Sequence, residues 1–283
     1  MKNRELSFAF ILAIALVVFA QSGYSQNQKR IITKADKFDF GAGGTLSLIG
    51  APKGSITIVG NSKNEIEITA KIEIEAPTEA DLNILAAVTT FVLQESTGRV
   101  AIMSSGTHNK LGDKKLWKKF PKTLLGLPFK IDYVVKVPRY CDLDVNGGKG
   151  DIDISGVEGT FKIASIESNT KLSLIGGGIA ATIGSGTVDI TMPDRSWRGN
   201  AVDVALANGT MTAHLPSSIS ADLDAAILKS GKIESAFVDW KPRTRTVPFT
   251  EQSMIAKAGN GGVPMKFTVG EGTLRFMRIV KPN

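Results

Sequence analysis

The chain has 283 residues, of which 42% are hydrophobic and 22% charged, and it carries a net charge of +7. This composition supports a folded core and argues against a disordered chain. No zinc-finger spacing, RNP-type aromatic motif or long basic helix occurs, which argues against nucleic acid as a partner, and a single cysteine, Cys141, excludes an intramolecular disulfide.

Residues 1–25 read as a secretory signal peptide. Lys2 and Arg4 form a basic start, Leu6 to Ala20 is an apolar run, and small residues follow in "AQSGYSQ". Cleavage is expected after Ser22 or Ser25. The alternative is an uncleaved anchor, but this run is shorter than the roughly 20 residues that span a bilayer. No cysteine lies nearby for lipid attachment, and no later run is long enough for a transmembrane span after cleavage. The expectation is an exported chain, in the periplasm or at the cell surface, folding as one domain over 26–283. Without Lys2, Arg4 and Glu5 the charge becomes +6 (32 basic, 26 acidic). For an exported protein this points to an anionic polysaccharide, to lipid headgroups, or to no specific partner.

Period-two alternation then takes over, in "FDF" (38–40), "TLSLI" (45–49), "SITIV" (55–59) and "EIEITAKIEIE" (65–75), separated by glycine-rich turns. An insert at about 76–130 interrupts it. Its first part, 76–88, predicts a short helix with Thr78 as N-cap and Leu82, Leu85 and Ala86 on one face. Residues 89–105 predict a hairpin turning at Ser96 to Gly98, and 106–130 are irregular. After "IDYVVKV", strands recur almost continuously from Asp142 to Pro193. Pairing Ile152/Ile154 with Leu172/Leu174 and Val188/Ile190 gives offsets of 20 and 16, a mean of 18. Two short strands per unit of about 18 residues predict an all-β fold, a single-domain β-solenoid whose rungs stack ~4.8 Å apart. The Ala180–Ala181 pair reads as small inward residues. The alternative is an antiparallel β-sandwich, which also has short, regularly spaced strands. The rhythm continues through 200–216, 219–235 and 262–279, with 236–261 as an excursion.

The opening "GTLSLIGAPKGSITIVG", the insert, and the late rungs "WRGNAVDVALANGTMTAHLP", "ISADLDAAILKSGKIES" and "GVPMKFTVGEGTLRF" resemble a bacterial envelope family, the DUF4097-like "putative adhesin" β-solenoid domains. The resemblance covers nearly all of the chain after the signal. It implies a β-solenoid, an exported location and an adhesive or scaffolding role. It supplies no catalytic residues.

"NGGKGDIDISGVEGTFKI" (146–163) approaches a calcium β-roll repeat, but Ile152 stands where that repeat needs an acid, and Asp151 and Asp153 flank it. A one-residue offset in a strand turns a side chain to the other face. No Gly-Lys-Ser/Thr follows, so it is not a phosphate loop either. Asp142, Asp144, Asp151 and Asp153 read as the polar half of alternating strands; the competing reading is an acid pair of a carbohydrate-active protein that binds or cleaves an anionic polysaccharide. His108 and His214 are far apart in sequence, with His214 on a polar face. "GSG" at 184–186 is not a nucleophile elbow, and no zinc spacing occurs. Cys141, alternating with Leu143 and Val145, reads as a buried thiol. Trp117, Trp197 and Trp240 lie in turns or inserts, either stacking sugars or plugging the edge of the core.

The strongest local anomaly is basic. Lys110, Lys114, Lys115, Lys118, Lys119 and Lys122 crowd one span, interleaved with Leu111, Leu116, Trp117 and Phe120. These lysines with Trp117 form a candidate contact for an anionic surface. The alternative is a solvated cap on one solenoid end. The expectation is an exported, non-enzymatic adhesion or scaffold module of the cell envelope, without catalytic, cofactor or metal site, binding through its turns and inserted loop.

Overall fold

A computed structural model describes residues 27–193 and 199–279. The signal-peptide expectation and Trp197 lie outside the described residues. The strands, in chain order, begin with β1 (Gln28–Asp39), β2 (Thr45–Ile49), β3 (Ile56–Asn61) and β4 (Glu65–Ala76). Helix α1 (Glu79–Val88) and the hairpin β5 (Thr90–Ser96) and β6 (Arg99–Ser105) follow. The short helix α2 (Lys114–Lys118) and a 3-10 turn (Lys122–Leu124) lead to β7 (Phe129–Pro138). The main stack then runs β8 (Asp142–Lys149), β9 (Ile152–Ser155), β10 (Glu158–Ser173), β11 (Gly176–Thr191), β12 (Gly199–Leu215) and β13 (Ala221–Ser235). The chain ends with β14 (Lys241–Pro242), β15 (Ser253–Ala258) and β16 (Val263–Arg278).

The central strands are parallel and in register, so the fold is a β-solenoid and not an antiparallel sandwich. Each rung bends at a corner into two halves. Strands β2 and β3 form one rung, β8 and β9 the next, and β10, β11 and β12 each run through both halves. Leu143 stacks under Phe161 and Phe161 under Ile179, each an offset of 18. In the second half the same offset joins Ile152 to Thr170 and Thr170 to Val188. The sequence pairing of Ile152 with Leu172 is therefore two residues out of register. Its cause is Thr170, a polar residue that points inward. Thr170 is buried, and its hydroxyl lies 2.9 Å from that of Ser168, so each satisfies the other. The Ala180–Ala181 reading is corrected too: Ala181 is buried but Ala180 is exposed, as consecutive strand residues must face opposite sides.

Two inward columns set a large ring beside small side chains. Phe267 stacks between Val204 and Ala225, and Phe276 beside Ala213, all of them buried. Such matching accommodates the two rings within the rung spacing. Cys141 sits in this core, and burial pushes its thiol up to about 12.

The corner is built from glycine. Gly150, Gly186, Gly209, Gly272 and Gly231 all have φ between +123° and +148°. A Cβ at Gly209 would lie 1.9 Å from the Gly186 carbonyl oxygen, and one at Gly272 would lie 1.8 Å from that of Gly209. Lacking a Cβ, these glycines let successive rungs close to ladder distance there, while β10 carries Ser168 at the same corner position, in register with Gly186. The glycine at the heart of "GGKGD" is thus a corner residue, and Asp151 and Asp153 on either side of buried Ile152 are exposed.

Beyond β12, stacking departs from chain order. Strand β16 lies between β12 and β13, with Met265 beside both Val202 and Leu223. The excursion at 236–261 makes this fit. Its β15 pairs antiparallel with one edge of β13, which leaves the other edge to β16. Buried Trp240 stacks on Phe237 at 4.2 Å and reaches Phe276 at 5.7 Å, so it plugs the core edge.

At the opposite end β3 pairs with β7, β7 antiparallel with β4, and β4 with β1, while β2 pairs with β6 and β6 with β5. Helix α1 covers this end through buried Leu82, Leu85 and Val88. Thr78 caps it as expected, accepting a hydrogen bond from the Asp81 backbone N–H at 3.1 Å.

Candidate functional site

The lysine segment occupies this α1 end. Its local form follows from a few side chains. Asp113 caps α2, its carboxylate accepting from the Lys115 backbone N–H at 2.7 Å. The Trp117 indole N–H donates to the Leu111 carbonyl at 2.8 Å, which folds α2 back on the loop before it. Trp117 packs on Phe120 at 5.2 Å between ring centres, and the Lys110 ammonium stands 5.8 Å from the Trp117 ring. Leu124 is buried, and Phe120 and Leu127 pack partly on the core.

All six lysines are exposed. None lies within 4.0 Å of a carboxylate among the described residues. Eight lysines elsewhere do: Lys29, Lys37, Lys63, Lys130, Lys136, Lys149, Lys229 and Lys232. The contrast is clear on the β1–β4–β7 face, where hydrogen bonds from Lys136 and Lys37 hold Glu67 down to about 2. The one carboxylate inside the lysine span, Asp113, is engaged as a helix cap. The cap therefore carries dense positive charge with little internal compensation.

The segment divides capping and exposure among different side chains. Trp117 and Phe120 are half-buried, whereas Leu116 is 44% exposed. Leu116 faces a residue that the sequence reading did not select, Ile84 of α1, which is 36% exposed. Between the two helices runs an apolar groove of about 320 Å³, lined by Ile84, Ala87, Val88, Leu116, Phe120 and Pro121, with Asn83 and Lys119 at its edge. Ile84 falls between the buried positions Leu82 and Leu85, so helical spacing alone marks it as an ordinary surface residue.

The carboxylates lead elsewhere. Asp144 pairs with Arg99 at 3.0 Å, and Asp142 accepts from the Thr160 backbone N–H at 2.7 Å. Asp151 lines a polar cleft of about 620 Å³ at the glycine corner, with Asp132, Glu167, Lys53, Lys130 and Lys149. Each acid there already has a partner. Asp151 accepts from Asn169, Glu167 pairs with Lys149, and Asp132 binds Ser55 and Lys130. Burial alone would raise the Asp132 pKa, but the Ser55 and Lys130 hydrogen bonds outweigh it and hold it below the usual range. A glycosidase general acid needs the opposite shift, and no aromatic ring lines the cleft for sugar stacking. Among the described residues no three His, Cys, Asp or Glu side chains gather for a metal. His214 stands 3.4 Å from Asp189 on the polar face, and His108 tilts against Phe129 at 5.2 Å between ring centres. Among the described residues no helix is long and apolar enough to cross a membrane.

No protein-family model and no curated protein matches the chain, so the family resemblance read from its glycine pattern has no family model behind it. Solved structures do match. A "putative cell adhesion protein" from Clostridium sporogenes ATCC 15579 is 14% identical over 88% of this chain and 100% of its own, with a TM-score of 0.43. A "putative adhesin" from Bacteroides fragilis NCTC 9343 is 8% identical over 88% and 98% of the two chains, with a TM-score of 0.30. A "putative lipid binding protein" from Parabacteroides distasonis ATCC 8503 is 8% identical over 88% and 97%, with a TM-score of 0.25. At such identities and scores the likeness carries no inference about binding, and the reading of function rests on the residues of this chain.

Proposed function

We propose that this chain is an exported, non-enzymatic adhesion or scaffold module of the bacterial cell envelope that holds anionic surfaces through its lysine-rich cap. The observation that carries the reading is the set of six exposed lysines, none paired with a described carboxylate, on one end of the stack. Such a cluster raises a local positive potential that overall charge does not create. Near an anionic membrane each lysine contributes about 1 kcal/mol at moderate salt, so a few together give transient attachment. The stacked rungs supply a rigid body that presents the cap at one end and ties its base into the core.

The test is a charge reversal. Lys114, Lys115, Lys118 and Lys119 are changed to Glu together, and binding to an immobilised polyanion and to anionic vesicles is followed across salt concentration, beside a thermal melt. The expected result is salt-sensitive binding by the wild type, lost in the variant, with both melting alike. Absence of salt-sensitive binding by the wild type ends the proposal.

A further inference from the structure

We infer that the groove between α1 and α2 is an insertion element for the surface of an anionic phospholipid bilayer. This rests on the cap reading above and names the kind of anion it meets. Single exposed apolar residues are ordinary. Here two of them, Ile84 and Leu116, come from separate helices and face one groove whose other walls are Ala87, Val88, Phe120 and Pro121. Leu116 gains little from its position in the fold, because α2 buries none of its residues.

The chemistry of the groove selects among anions. A soluble polysaccharide is recognised by hydrogen-bond donors and by rings stacked on sugar faces. This groove presents mostly aliphatic carbon, and its one ring, Phe120, is packed on Trp117 and partly on the core. Its one amide, Asn83, has its oxygen engaged by Arg30 at 2.9 Å, so a single NH2 group is the only amide donor at its edge. The acids nearby are also occupied: Glu79 pairs with Arg30, and Asp113 caps α2. Lys119 stands at the groove edge, and Lys115 and Lys118 occupy the same short helix. An apolar strip bordered by free ammonium groups on long, flexible stems matches a bilayer interface, where hydrocarbon lies just beneath phosphate. The lysines meet the headgroups while Ile84 and Leu116 enter the acyl boundary, and Trp117 is carried to the same depth.

The test compares the protein with Ile84→Ser/Leu116→Ser and with Leu116→Ser alone. Binding is measured to phosphatidylcholine vesicles with and without phosphatidylglycerol, and to dextran sulfate as a soluble polyanion. The apolar run at 6–20 is common to every form, so differences between forms carry the result. The double variant is expected to lose about tenfold in affinity for anionic vesicles, equivalent to about 1.4 kcal/mol, and to keep its affinity for dextran sulfate. Bromine-labelled acyl chains should quench tryptophan emission in the wild type and much less in Trp117→Phe. Leu116→Ser, on a helix with no buried residue, separates lost contact from lost fold. Unchanged vesicle affinity in both serine variants overturns the insertion while leaving the lysine reading intact. So does wild-type binding to dextran sulfate without binding to vesicles. Groove-dependent dimerisation in sedimentation also overturns it, by assigning the groove to a second copy. If the wild type binds neither vesicles nor dextran sulfate, both readings fall.

Discussion

Gly209 and Gly126 both hold backbone angles that favour glycine, with φ of +137° and +147°. At Gly209 a Cβ would run into the carbonyl of the rung below; at Gly126 it would meet nothing within 4 Å. The first belongs to the corner column of the stack, the second to the loop that follows the 3-10 turn of the cap. The same backbone conformation is thus an obligation in one place and a local preference in the other. In the stack each rung is the template for the next, so a residue is constrained by neighbours 18 or more positions away. In the cap the constraints are short-range: a helix cap, an indole hydrogen bond, one or two side chains docked on the core. That freedom is what permits the cap to carry six uncompensated lysines and an open apolar groove.

Three substitution pairs test this contrast. The largest effect is expected for Ile154→Asp, which places a charge among buried side chains. An unpaired buried charge costs enough, more than about 4 kcal/mol, to unfold a marginally stable domain. Leu116→Asp in the cap should stay within about 0.5 kcal/mol of wild type in a urea melt. Equal melts for the two variants would mean that Ile154 is not an inward column residue. Next comes Gly209→Ala, expected to cost about 3–5 kcal/mol from strain and clash together, against about 1–2 kcal/mol for Gly126→Ala from strain alone. Similar losses at both sites would remove the distinction between the regions. The smallest effect concerns the inward hydroxyls. Thr170→Val should cost about 2 kcal/mol by leaving Ser168 without its partner, while Ser168→Ala/Thr170→Val together should cost less than the single change. A double-mutant cycle on chemical denaturation measures the coupling, and strict additivity would refute the pairing.

The same contrast explains what was readable in the sequence. Rung length, the α1 cap at Thr78, the hairpin turn before Arg99 and the burial of Cys141 are all set by residues close in sequence or by strict alternation, and each is found. Register was misread because the apolar pattern treats Thr170 as outward, and only its contact with Ser168 makes it tolerable inside. The first ten residues of β1 were missed because Ile31 and its neighbours stay largely exposed, so the alternation carries little hydrophobic contrast. The lysines of the candidate site were visible as composition. Ile84 was not, because the groove exists only once α1 and α2, some 30 residues apart in sequence, lie side by side.

The seating of β16 between β12 and β13 has a consequence for the order of folding. Strands β10 to β12 can assemble as the chain emerges, each finding its template just made. Strand β13 cannot. Its parallel neighbour is synthesised about forty residues later, and the β12–β16 pairing spans more than sixty. Until residues 263–278 arrive, β12 and β13 both present unpaired edges, which are the surfaces by which β-rich chains associate wrongly. Closing such long loops is slow compared with stacking consecutive rungs. Completion of this solenoid is therefore expected as a late, separate kinetic phase, and the incomplete chain is the form most prone to associate wrongly.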